Sequence, residues 1–380
     1  MKIISVVGAR PNFMKIAPFA HAIIEHNKTS HQMIDHIIVH TGQHYDDRMS
    51  RVFFESLDIP EAQINLGIGS GSHAEQVGQT MIAFEKVLLE HRPDWVVVLG
   101  DVNATLACSV TAKKINIRVC HIEAGLRSGD MTMPEEVNRL VTDRLSDLLL
   151  TPDEMSSNNL RAEGADENRI RMVGNIMIDT LIKHRNKAEV LEVDQIIMAN
   201  KLEDTAYAHI GENGFAMVTL HRPSNVDQEE VLRALVEFFI SDVAIQMPLI
   251  WSIHPRTHKQ LEHFGLLPLL KAQSNITLLQ PLGYHEMLKM NMQSRIMLTD
   301  SGGLQEECTV LGTPCLTMRW NTERPVTLTE YGGASVLVGN NVERIKAEYY
   351  KAISTATNPQ SPPLWDGQTA QRCLNAIINY

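Results

Sequence analysis

Residues 95–127 read WVVVLGDVNATLACSVTAKKINIRVCHIEAGLR, and this segment decides the fold class. It holds two apolar runs rich in β-branched residues, Trp95–Leu99 and Val119–Ile122, which are typical of buried strands. The residues between the two runs are numerous enough for a helix that crosses over a sheet. The segment therefore predicts a strand–helix–strand unit whose two strands run parallel.

The same alternation extends along most of the 380 residues and predicts an α/β protein with two doubly wound, Rossmann-type domains. Further predicted strands are Ile3–Val7, Ile37–Val39, Ala216–Leu220, Leu249–Ile253, Ile276–Leu279, Ile296–Leu298 and Cys315–Thr317, and predicted helices include 73–89, 227–239, 303–311 and 365–379. We expect one domain over 1–174, a second over 175–362, and a final helix within 363–380 after a proline-rich turn.

The composition narrows the classes of function. The formal net charge of −11 opposes attraction to nucleic acid or anionic membranes, and an aromatic content of 5% leaves few surfaces for base stacking. No apolar segment reaches the ~20 residues of a membrane span, and the first residues lack the apolar core of a signal peptide. The five cysteines form no CxxC pair, which is typical of buried free thiols. We therefore expect a cytoplasmic protein that binds neither nucleic acid nor membranes.

Carboxylates follow neighbouring strands in the first half of the chain. Asp101 closely follows one predicted strand, and Glu123 comes directly after the next. Because the carboxyl ends of parallel strands meet at one edge of a sheet, both side chains should lie at that edge. Glu135 and Glu136 stand in the first turn of a helix that Pro134 can begin, where the helix dipole favours a carboxylate. One of these two glutamates is therefore expected to be structural.

Several carboxylates that converge on one ligand are costly unless they transfer protons or bind a metal ion. Crowding and burial favour one protonated and one ionised carboxyl group, which is an acid beside a base. The metal alternative rests on His121 and Glu123, which alternate along one strand, but the sequence has no HExxH motif. We therefore favour proton transfer and expect no metal ion. Asp101 has a structural alternative, since an Asp at this position can cap the following helix.

Two segments predict binding of a diphosphate. Arg10 and Lys15 lie at the start of the first predicted helix, where cations and free N–H groups suit phosphate. In residues 299–307, TDSGGLQEE, Ser301 and two glycines separate a strand from a helix and expose backbone N–H groups. Glu306 and Glu307 follow one turn later, within reach of ribose hydroxyl groups. The alternative for both segments is a plain strand-to-helix turn.

Polar residues also follow the strands of the second half. His221 ends the first of these strands and is a candidate proton carrier, or a donor to a leaving phosphate, although a lone histidine is usually structural. Arg256 follows the next strand, where it can bind a diphosphate or pair with an acid. Arg324 stands in a TERP motif one strand–helix unit after the SGG turn, which strengthens the prediction of a phosphate site.

In chain order, the sequence contains the motifs GARPNFMK, TGQHYDDRMS, LGDVNATLA, HIEAGLRSGDMTMPEEVNR, VGN, LHRPSN, HPRT, TDSGGLQEE and TERP. These motifs resemble those of the non-hydrolysing UDP-N-acetylglucosamine 2-epimerases over nearly the whole chain. The resemblance implies a GT-B-like fold, in which two Rossmann-type domains surround an inter-domain cleft, and a homodimer whose C-terminal helix packs on the first domain. It implies no cofactor, because UDP is eliminated to give a 2-acetamidoglucal and is then added back without oxidation.

The resemblance also assigns roles to residues of this sequence. The acid and base carboxylates fall on Asp101, Glu123 and Glu135, and the active-site histidine falls on His221. Residues matched to binding of the substrate or its UDP group are Arg10, Lys15, Arg139, Arg222, His254, Arg256, Ser301, Gly302, Gly303, Glu307 and Arg324, with Glu307 on the ribose.

The sequence departs from the common family pattern in three places. GARPN replaces GTRPE, so Asn12 stands where an acid is usual. Asp46 stands where many bacterial members have a second Gln that binds an activating UDP-GlcNAc molecule, and the stretch between HIEAGLR and PEE is two residues shorter.

The resemblance and its departures leave several functions open. The first is conversion of UDP-GlcNAc to UDP-ManNAc for cell-surface polysaccharide. The second keeps the chemistry, because the GARP and TGQHYD forms are similar to relatives that act on UDP-2,3-diacetamido-2,3-dideoxy-glucuronic acid. The remaining alternatives are a GT-B glycosyltransferase and a UDP-sugar-binding protein without activity.

Overall fold

The structure is a computed structural model of the chain, and its described residues form two compact units. Described are residues 1–8, 10–42, 58, 60–211, 214–355 and 359–380, with only the backbone for Arg10 and Pro11. Unit 1 comprises Met1–Ile182 and Pro363–Tyr380, and unit 2 comprises Lys183–Pro362. The TGQHYDDRMS segment lies outside the described residues from Gln43 onward, so Asp46 is outside them too.

Unit 1 alternates strands with helices. Its elements are β1 (Lys2–Val7), α1 (Arg10–Thr29), β2 (Asp35–His40), β3 (Ile64–Asn65), α2 (His73–His91), β4 (Trp95–Leu99), α3 (Asn103–Lys114), β5 (Arg118–Ile122), α4 (Pro134–Leu145), β6 (Leu148–Thr151), α5 (Glu154–Ala162), a 3₁₀ turn (Glu167–Arg169), β7 (Ile170–Met172) and α6 (Ile176–Glu189). The division between the two units falls inside α6, after Ile182.

The described strands of unit 1 form one parallel sheet in the order β3-β2-β1-β4-β5-β6-β7. All of β4 is buried, as expected for a parallel sheet that helices cover on both faces. Leu99 at the end of β4 pairs with Ile122 at the end of β5. The residues that follow these two strands, Gly100 and Glu123, therefore leave the sheet side by side.

The C-terminal helix α16 (Thr369–Ile378) belongs to unit 1 and packs against α1. The backbone N–H groups of Thr369 and Ala370 donate to the two carboxylate oxygens of Asp179 in α6, at 3.0 and 2.7 Å. A carboxylate at a helix N-terminus satisfies N–H groups that have no partner within the helix.

Unit 2 repeats the alternation. Its elements after α6 are α7 (Val193–Asn200), β8 (Ala216–Thr219), α8 (Pro223–Val226), α9 (Glu229–Phe238), a π-helical turn (Phe239–Val243), α10 (Ala244–Gln246), β9 (Leu249–Ser252), α11 (Pro255–His263), α12 (Leu267–Lys271), β10 (Ile276–Leu279), α13 (Tyr284–Gln293), β11 (Ile296–Thr299), α14 (Gly302–Leu311), β12 (Cys315–Thr317), two 3₁₀ turns (Pro325–Thr327 and Thr329–Tyr331), β13 (Ser335–Leu337) and α15 (Val342–Ser354). The described strands form a second parallel sheet in the order β10-β9-β8-β11-β12-β13.

The predicted strands are confirmed to within a residue or two at either end. Four of the described strands lie outside the predicted set, namely β3, β6, β7 and β13. Each has two to four residues, and predicted strands such as β12 are equally short, so length alone does not separate the two groups. None of the described helices is long and apolar enough to cross a membrane.

Candidate active site

Glu123 and Lys15 form a buried ion pair at the carboxyl edge of the unit 1 sheet. Glu123 has a φ of 72°, in the left-handed region that is uncommon for a residue with a Cβ. Lys15 Nζ, from the second turn of α1, lies 2.5 Å from Glu123 Oε2. The other carboxylate oxygen, Oε1, is buried and has no hydrogen-bond partner among the described residues. A buried acceptor without a partner is costly, so Oε1 is suited to take a proton or a hydrogen bond from a ligand.

Gly100 and Asn12 shape the space around this ion pair. Gly100 has a φ of 66°, and a Cβ there would lie 3.1 Å from Lys15 Nζ and 3.3 Å from Glu123 Oε2. Asn12 Nδ2 donates to the carbonyl oxygen of Leu99 at 3.0 Å, and its Oδ1 accepts from the turn after β1 at 3.3 Å. Asn12, which replaces the usual acid, thus joins the ends of β1 and β4 without adding a charge.

Asp101 pairs with Arg139, a buried residue of α4. Arg139 Nη1 contacts Asp101 Oδ2, and the Asp101 side chain is 26% exposed. The same guanidinium binds Glu136 Oε2 through Nε at 2.9 Å and Nη2 at 2.7 Å. Arg139 therefore holds Asp101 in place while leaving part of its carboxylate open to a ligand.

The adjacent residues Glu135 and Glu136 lie in different environments. Glu136 is buried and accepts hydrogen bonds from the N–H groups of Ser128 at 3.1 Å and Gly129 at 2.9 Å. Burial opposes its ionisation, but these bonds and Arg139 outweigh it and lower the pKa of Glu136. Glu135 is half-buried, and its carboxylate has no hydrogen bond or ion pair with any described residue. Glu136 is thus the structural member of the pair, and Glu135 is available to a ligand.

His121 is fully buried, and both of its ring nitrogens have partners. Nδ1 lies 2.6 Å from Asp143 Oδ1, and Nε2 lies 2.9 Å from the carbonyl oxygen of Gly100. Within the described part of the chain, no three His, Cys, Asp or Glu side chains are grouped so as to hold a metal ion. Both ring nitrogens of His121 therefore bond to groups other than a metal ion, which removes the histidine from the possible His121–Glu123 metal pair.

In unit 2, the buried residue Asp300 orients His221. The Asp300 carboxylate accepts from the N–H groups of His221 and Arg222 at 3.0 and 2.8 Å, and from Asn225 Nδ2 at 3.0 Å. His221 Nδ1 lies 2.7 Å from Asp300 Oδ1, and Arg222 Nε donates to the Asp300 carbonyl oxygen at 3.0 Å. Burial opposes ionisation, but the contacts with His221 and Arg222 outweigh it and lower the pKa of Asp300. The His221 side chain is 42% exposed, so the nitrogen not bound to Asp300, Nε2, can reach a ligand.

The Ser301–Gly303 turn begins helix α14. Ser301 Oγ accepts from Leu304 N at 3.5 Å, whereas the N–H groups of Gly302 and Gly303 donate to no described residue. Free N–H groups at a helix N-terminus form an anion-binding site. A Cβ at Gly302 would lie 3.2 Å from Arg324 Nη1, so the turn also approaches a cation closely.

Four charged side chains, Arg319, Glu323, Arg324 and Glu306, form a buried cluster beside this turn. Glu323 contacts Arg324 Nη1 and lies 2.7 Å from Arg319 Nη2, and Glu306 Oε1 lies 2.5 Å from Arg324 Nε. Burial opposes ionisation of Glu323, but the two arginines outweigh it and lower its pKa. Arg319 Nη1 is buried and has no hydrogen-bond partner among the described residues. The two arginines and two glutamates balance in charge, and the unpartnered Nη1 of Arg319 is the donor that the cluster leaves over near the turn.

Glu307 lies in α14, buried beside Tyr284. Burial raises the pKa of Glu307 to about 7; hydrogen bonds from Tyr284 and Asn291 oppose this rise, while the charge of Glu306 adds to it. A carboxyl group that titrates near neutral pH can change between donor and acceptor as a ligand binds.

His254 and Arg256 lie at the start of α11. His254 Nδ1 accepts from the Arg256 N–H at 3.2 Å, and the His254 and His221 rings are 5.6 Å apart. Burial, followed by the charge of nearby His221, lowers the pKa of His254. Arg256 is exposed and pairs with Asp227, its Nε lying 2.8 Å from Asp227 Oδ1. The sequence left two roles for Arg256, binding a diphosphate or pairing with an acid. The structure contains the pair with an acid.

A family model described as UDP-N-acetylglucosamine 2-epimerase matches residues 26–378. The chain belongs to the UDP-N-acetylglucosamine 2-epimerase family. The family that its motifs resemble is thereby confirmed, and so is its activity class, since members of this family are epimerases and thus isomerases.

Individual members of the family agree with this assignment. The UDP-N-acetylglucosamine 2-epimerase of Methanocaldococcus jannaschii is 41% identical over 100% of this chain and 99% of its own. A crystal structure of the M. jannaschii UDP-GlcNAc 2-epimerase with UDP-GlcNAc and UDP matches all of both chains with a TM-score of 0.85 at 40% identity, which confirms the GT-B-like α/β fold class. The UDP-2,3-diacetamido-2,3-dideoxy-D-glucuronate 2-epimerase of Pseudomonas aeruginosa is 38% identical over 89% of this chain and 88% of its own.

The structure brings most of the predicted site residues of this family member to the carboxyl edges of the two sheets. In unit 1 these are Lys15, Asp101, Glu123, Glu135 and Arg139, and in unit 2 they are His221, Arg222, His254, Arg256, Ser301, Gly302, Gly303, Glu307 and Arg324. Arg10 begins α1, and its side chain lies outside the description. Lys15, predicted to bind a diphosphate, has its ammonium group paired with Glu123.

Three residues in contact with the candidate site residues or their neighbours were not identified from the sequence, namely Asp143, Asp300 and Arg319. Asp300 stands inside the TDSGG motif, but its contact with His221 spans 79 positions of the chain. Asp143 lies 22 positions from His121, and neither contact has a local sequence pattern. The only sequence signal for such residues is a polar side chain directly after a strand. Of the three residues, Asp300 alone has that position.

Proposed function

We propose that the chain interconverts UDP-GlcNAc and UDP-ManNAc by elimination and re-addition of UDP. In the first step the C2–H and C1–O bonds break, a C1=C2 double bond forms, and UDP leaves a 2-acetamidoglucal. In the second step a proton adds to C2 from the other face while UDP adds back to C1. Atoms and electrons balance without an oxidant, so no cofactor is needed.

Inversion at C2 requires two proton carriers, because the proton leaves from one face of the sugar and returns to the other. The observation that carries this proposal is the buried Glu123 Oε1, an acceptor without a partner beside the ion pair with Lys15. Asp101 and Glu135 supply two further carboxylates that are open to a ligand. We assign the proton transfers to these three residues, since positioned carboxyl groups are effective general acids and bases.

Unit 2 carries the groups that suit UDP. The free N–H groups of Gly302 and Gly303, with Arg324 next to them, suit the diphosphate, and Glu307 one turn into the same helix suits the ribose hydroxyl groups. His221, oriented by Asp300, is assigned to the leaving phosphate, where its Nε2 donates a hydrogen bond as negative charge develops. From the family resemblance we also assign Arg10 to the diphosphate.

Other parts of the proposal concern the setting of the enzyme. The resemblance supports a homodimer, and the five buried free cysteines support a reducing compartment such as the cytoplasm. UDP-ManNAc would then serve synthesis of cell-surface polysaccharide.

The second candidate substrate is UDP-2,3-diacetamido-2,3-dideoxy-glucuronic acid, with the same chemistry at C2. It is favoured by the 38% identity to the P. aeruginosa enzyme named for that substrate. This sugar adds a carboxylate at C6 and an amide at C3, so its enzyme would need a further cation near the sugar.

The test is proton NMR of the purified protein with UDP-GlcNAc in D₂O and no added cofactor. We expect UDP-ManNAc to appear and C2 of both epimers to acquire deuterium. Free UDP with free ManNAc would instead indicate a hydrolysing enzyme. Turnover of the diacetamido uronic acid substrate alone would transfer the proposal to that sugar, and no reaction with either would favour a binding protein without activity.

A further inference from the structure

We propose that His121 is a positioning residue that holds the three carboxylates of unit 1 in their working arrangement by bridging the chain segments that carry them. The inference rests on the proposed function, because it concerns the same proton carriers. His121 itself has no route to a substrate, since it is fully buried and both ring nitrogens are bonded inside the unit.

The hydrogen bonds of His121 reveal what it does. The Gly100 carbonyl oxygen, 2.9 Å from Nε2, can only accept a hydrogen bond, so Nε2 must donate. Asp143, 2.6 Å from Nδ1, also contacts Arg127 Nη1 at 2.7 Å and accepts from Gly125 N at 3.0 Å. Burial opposes ionisation of Asp143, but His121 and then Arg127 outweigh it and lower its pKa.

Asp143 Oδ1 lies within hydrogen-bond distance of Nδ1, so the ring bonds to a different segment through each of its two nitrogens. The charged groups that face this ring are Asp143, from α4, and beyond it Arg127, which also pairs with Glu163 of α5. No other protein side chain supplies two opposed hydrogen-bonding nitrogens on a short, rigid ring, which explains why His stands here.

The two bonds connect the three segments that carry the proposed proton carriers. Gly100 directly precedes Asp101, and His121 stands two residues before Glu123 in β5. Asp143 lies two turns after Glu135 in α4. A single buried ring therefore fixes the end of β4, the end of β5 and helix α4 relative to one another.

The packing around Gly100 shows how a loss of this bridge would reach the carboxylates. A Cβ at Gly100 would lie 3.1 Å from Lys15 Nζ and 3.3 Å from Glu123 Oε2, so this backbone lies directly against the ion pair. Without the donor from His121, the Gly100 peptide would reorient toward another hydrogen-bond donor. The ion pair and Asp101 would shift with it. A misplacement of about 1 Å in a catalytic group can cost about 100-fold in rate.

The experiment compares wild type, His121→Asn and a matched control, His36→Asn. Asn can donate to one of the two acceptors but not to both. His36 lies near the amino end of β2 in the same unit, where its Nε2 is 2.9 Å from Ser5 Oγ, so its replacement removes one hydrogen bond away from the carboxylates. For each protein we would measure kcat and KM on the UDP-sugar that wild type epimerises, and the Kd of UDP by calorimetry.

For His121→Asn we expect kcat to fall about 100-fold, with KM and the Kd of UDP within about twofold of wild type, because neither hydrogen-bond partner of His121 is assigned to UDP. For His36→Asn we expect kcat within about twofold of wild type. A folded His121→Asn protein with wild-type kcat would overturn the proposal. An equal loss of kcat in both variants would overturn it too, because the effect would then be one of general stability.

Two further measurements keep the proposal testable if His121→Asn does not fold or if wild type shows no epimerase activity. Asp143→Asn lets a neutral His121 keep its bond to Gly100 and accept from the Asn amide, whereas Asp143→Ala does not, so kcat should fall in the order wild type, Asp143→Asn, Asp143→Ala. Nitrogen-15 NMR of the histidine rings should show a hydrogen-bonded proton on Nε2 of His121 in wild type, whatever the protein catalyses. A ring without a proton on Nε2 would overturn the positioning role without bearing on the proposed function, because the Gly100 carbonyl would then have no donor.

Discussion

The carboxyl edges of the two sheets follow the same strand plan but carry different chemistry. At the unit 1 edge, Glu123 is paired with Lys15, Asp101 is paired with Arg139, and Glu135 is left open. At the unit 2 edge, two backbone N–H groups of α14 and the Nη1 group of Arg319 have no partner among the described residues. A doubly wound fold thus brings polar residues to a common edge of the sheet. The balance of buried charges at that edge determines which chemistry it supports.

The largest effect expected from this comparison is the loss of turnover in Glu123→Gln. The change keeps the shape of the side chain but removes the proposed proton carrier, and such groups contribute about 10² to 10⁴ in rate. We expect kcat to fall by about 10³, while the Kd of UDP stays within about twofold because Glu123 is not assigned to UDP. The measurements are steady-state kinetics and calorimetry. Full turnover, or a large rise in the Kd of UDP, would contradict the proposal that Glu123 acts in proton transfer and not in UDP binding.

The next effect separates the adjacent residues Glu135 and Glu136. We expect Glu135→Gln to lower kcat by about 100-fold with an unchanged free energy of unfolding, because its carboxylate contacts no described residue. We expect Glu136→Gln to lower the free energy of unfolding by roughly 3 kcal/mol, since it weakens a buried ion pair with Arg139. Kinetics and denaturant unfolding of both variants check this. The reverse pattern would mean that the wrong glutamate has been assigned to the chemistry.

A smaller effect is expected from Gly302→Ala at the unit 2 edge. The new methyl group would lie 3.2 Å from Arg324 Nη1 and 3.3 Å from Glu323 Oε1, so the arginine cluster must shift. We expect the Kd of UDP to rise about tenfold, which is the loss of about one good hydrogen bond. Gly303→Ala is the matched comparison, because the nearest atom to its new methyl group is Ser301 Oγ at 4.0 Å, and its Kd should change less. Equal rises in Kd in the two variants would show that the arginine cluster beside the turn does not determine the affinity for UDP.

The smallest effect is a dependence of substrate affinity on pH. Because the pKa of Glu307 is raised to about 7, its carboxyl group is mostly protonated at pH 6 and mostly ionised at pH 8. An ionised carboxylate accepts from ribose hydroxyl groups, so the Kd of UDP-GlcNAc should fall as pH rises through 7, by at most about tenfold per pH unit. Glu307→Gln should flatten this part of the profile. UDP-GlcNAc is used rather than UDP because its diphosphate does not titrate in this range.

The sequence predicts a strand where an apolar run stands out from its surroundings. Trp95–Leu99 is apolar throughout and coincides with β4, and even the three-residue strand Cys315–Thr317 is predicted, whereas the two-residue strand Ile64–Asn65 has no pattern of its own.

For the site, the sequence predicts which polar residues reach the carboxyl edges but not their partners. Both Glu135 and Glu136 fit the first turn of a helix, and only the fold brings Ser128 and Gly129 to one of them. His121 fits a metal site by spacing alone, and only the fold brings Asp143 to it. These contacts span 7, 8 and 22 positions and depend on how the intervening loop and helix fold, so no periodic pattern in the sequence reveals them.

The most direct test of the account is whether the bond between C1 and oxygen breaks during turnover. UDP-GlcNAc labelled with ¹⁸O at the bridge between C1 and the β-phosphorus would be incubated with the enzyme and followed by phosphorus NMR. The account predicts that the label spreads to the non-bridging oxygens of the β-phosphate, because released UDP can rotate before it adds back to C1. A label that stays in the bridge while UDP-ManNAc accumulates would contradict elimination of UDP.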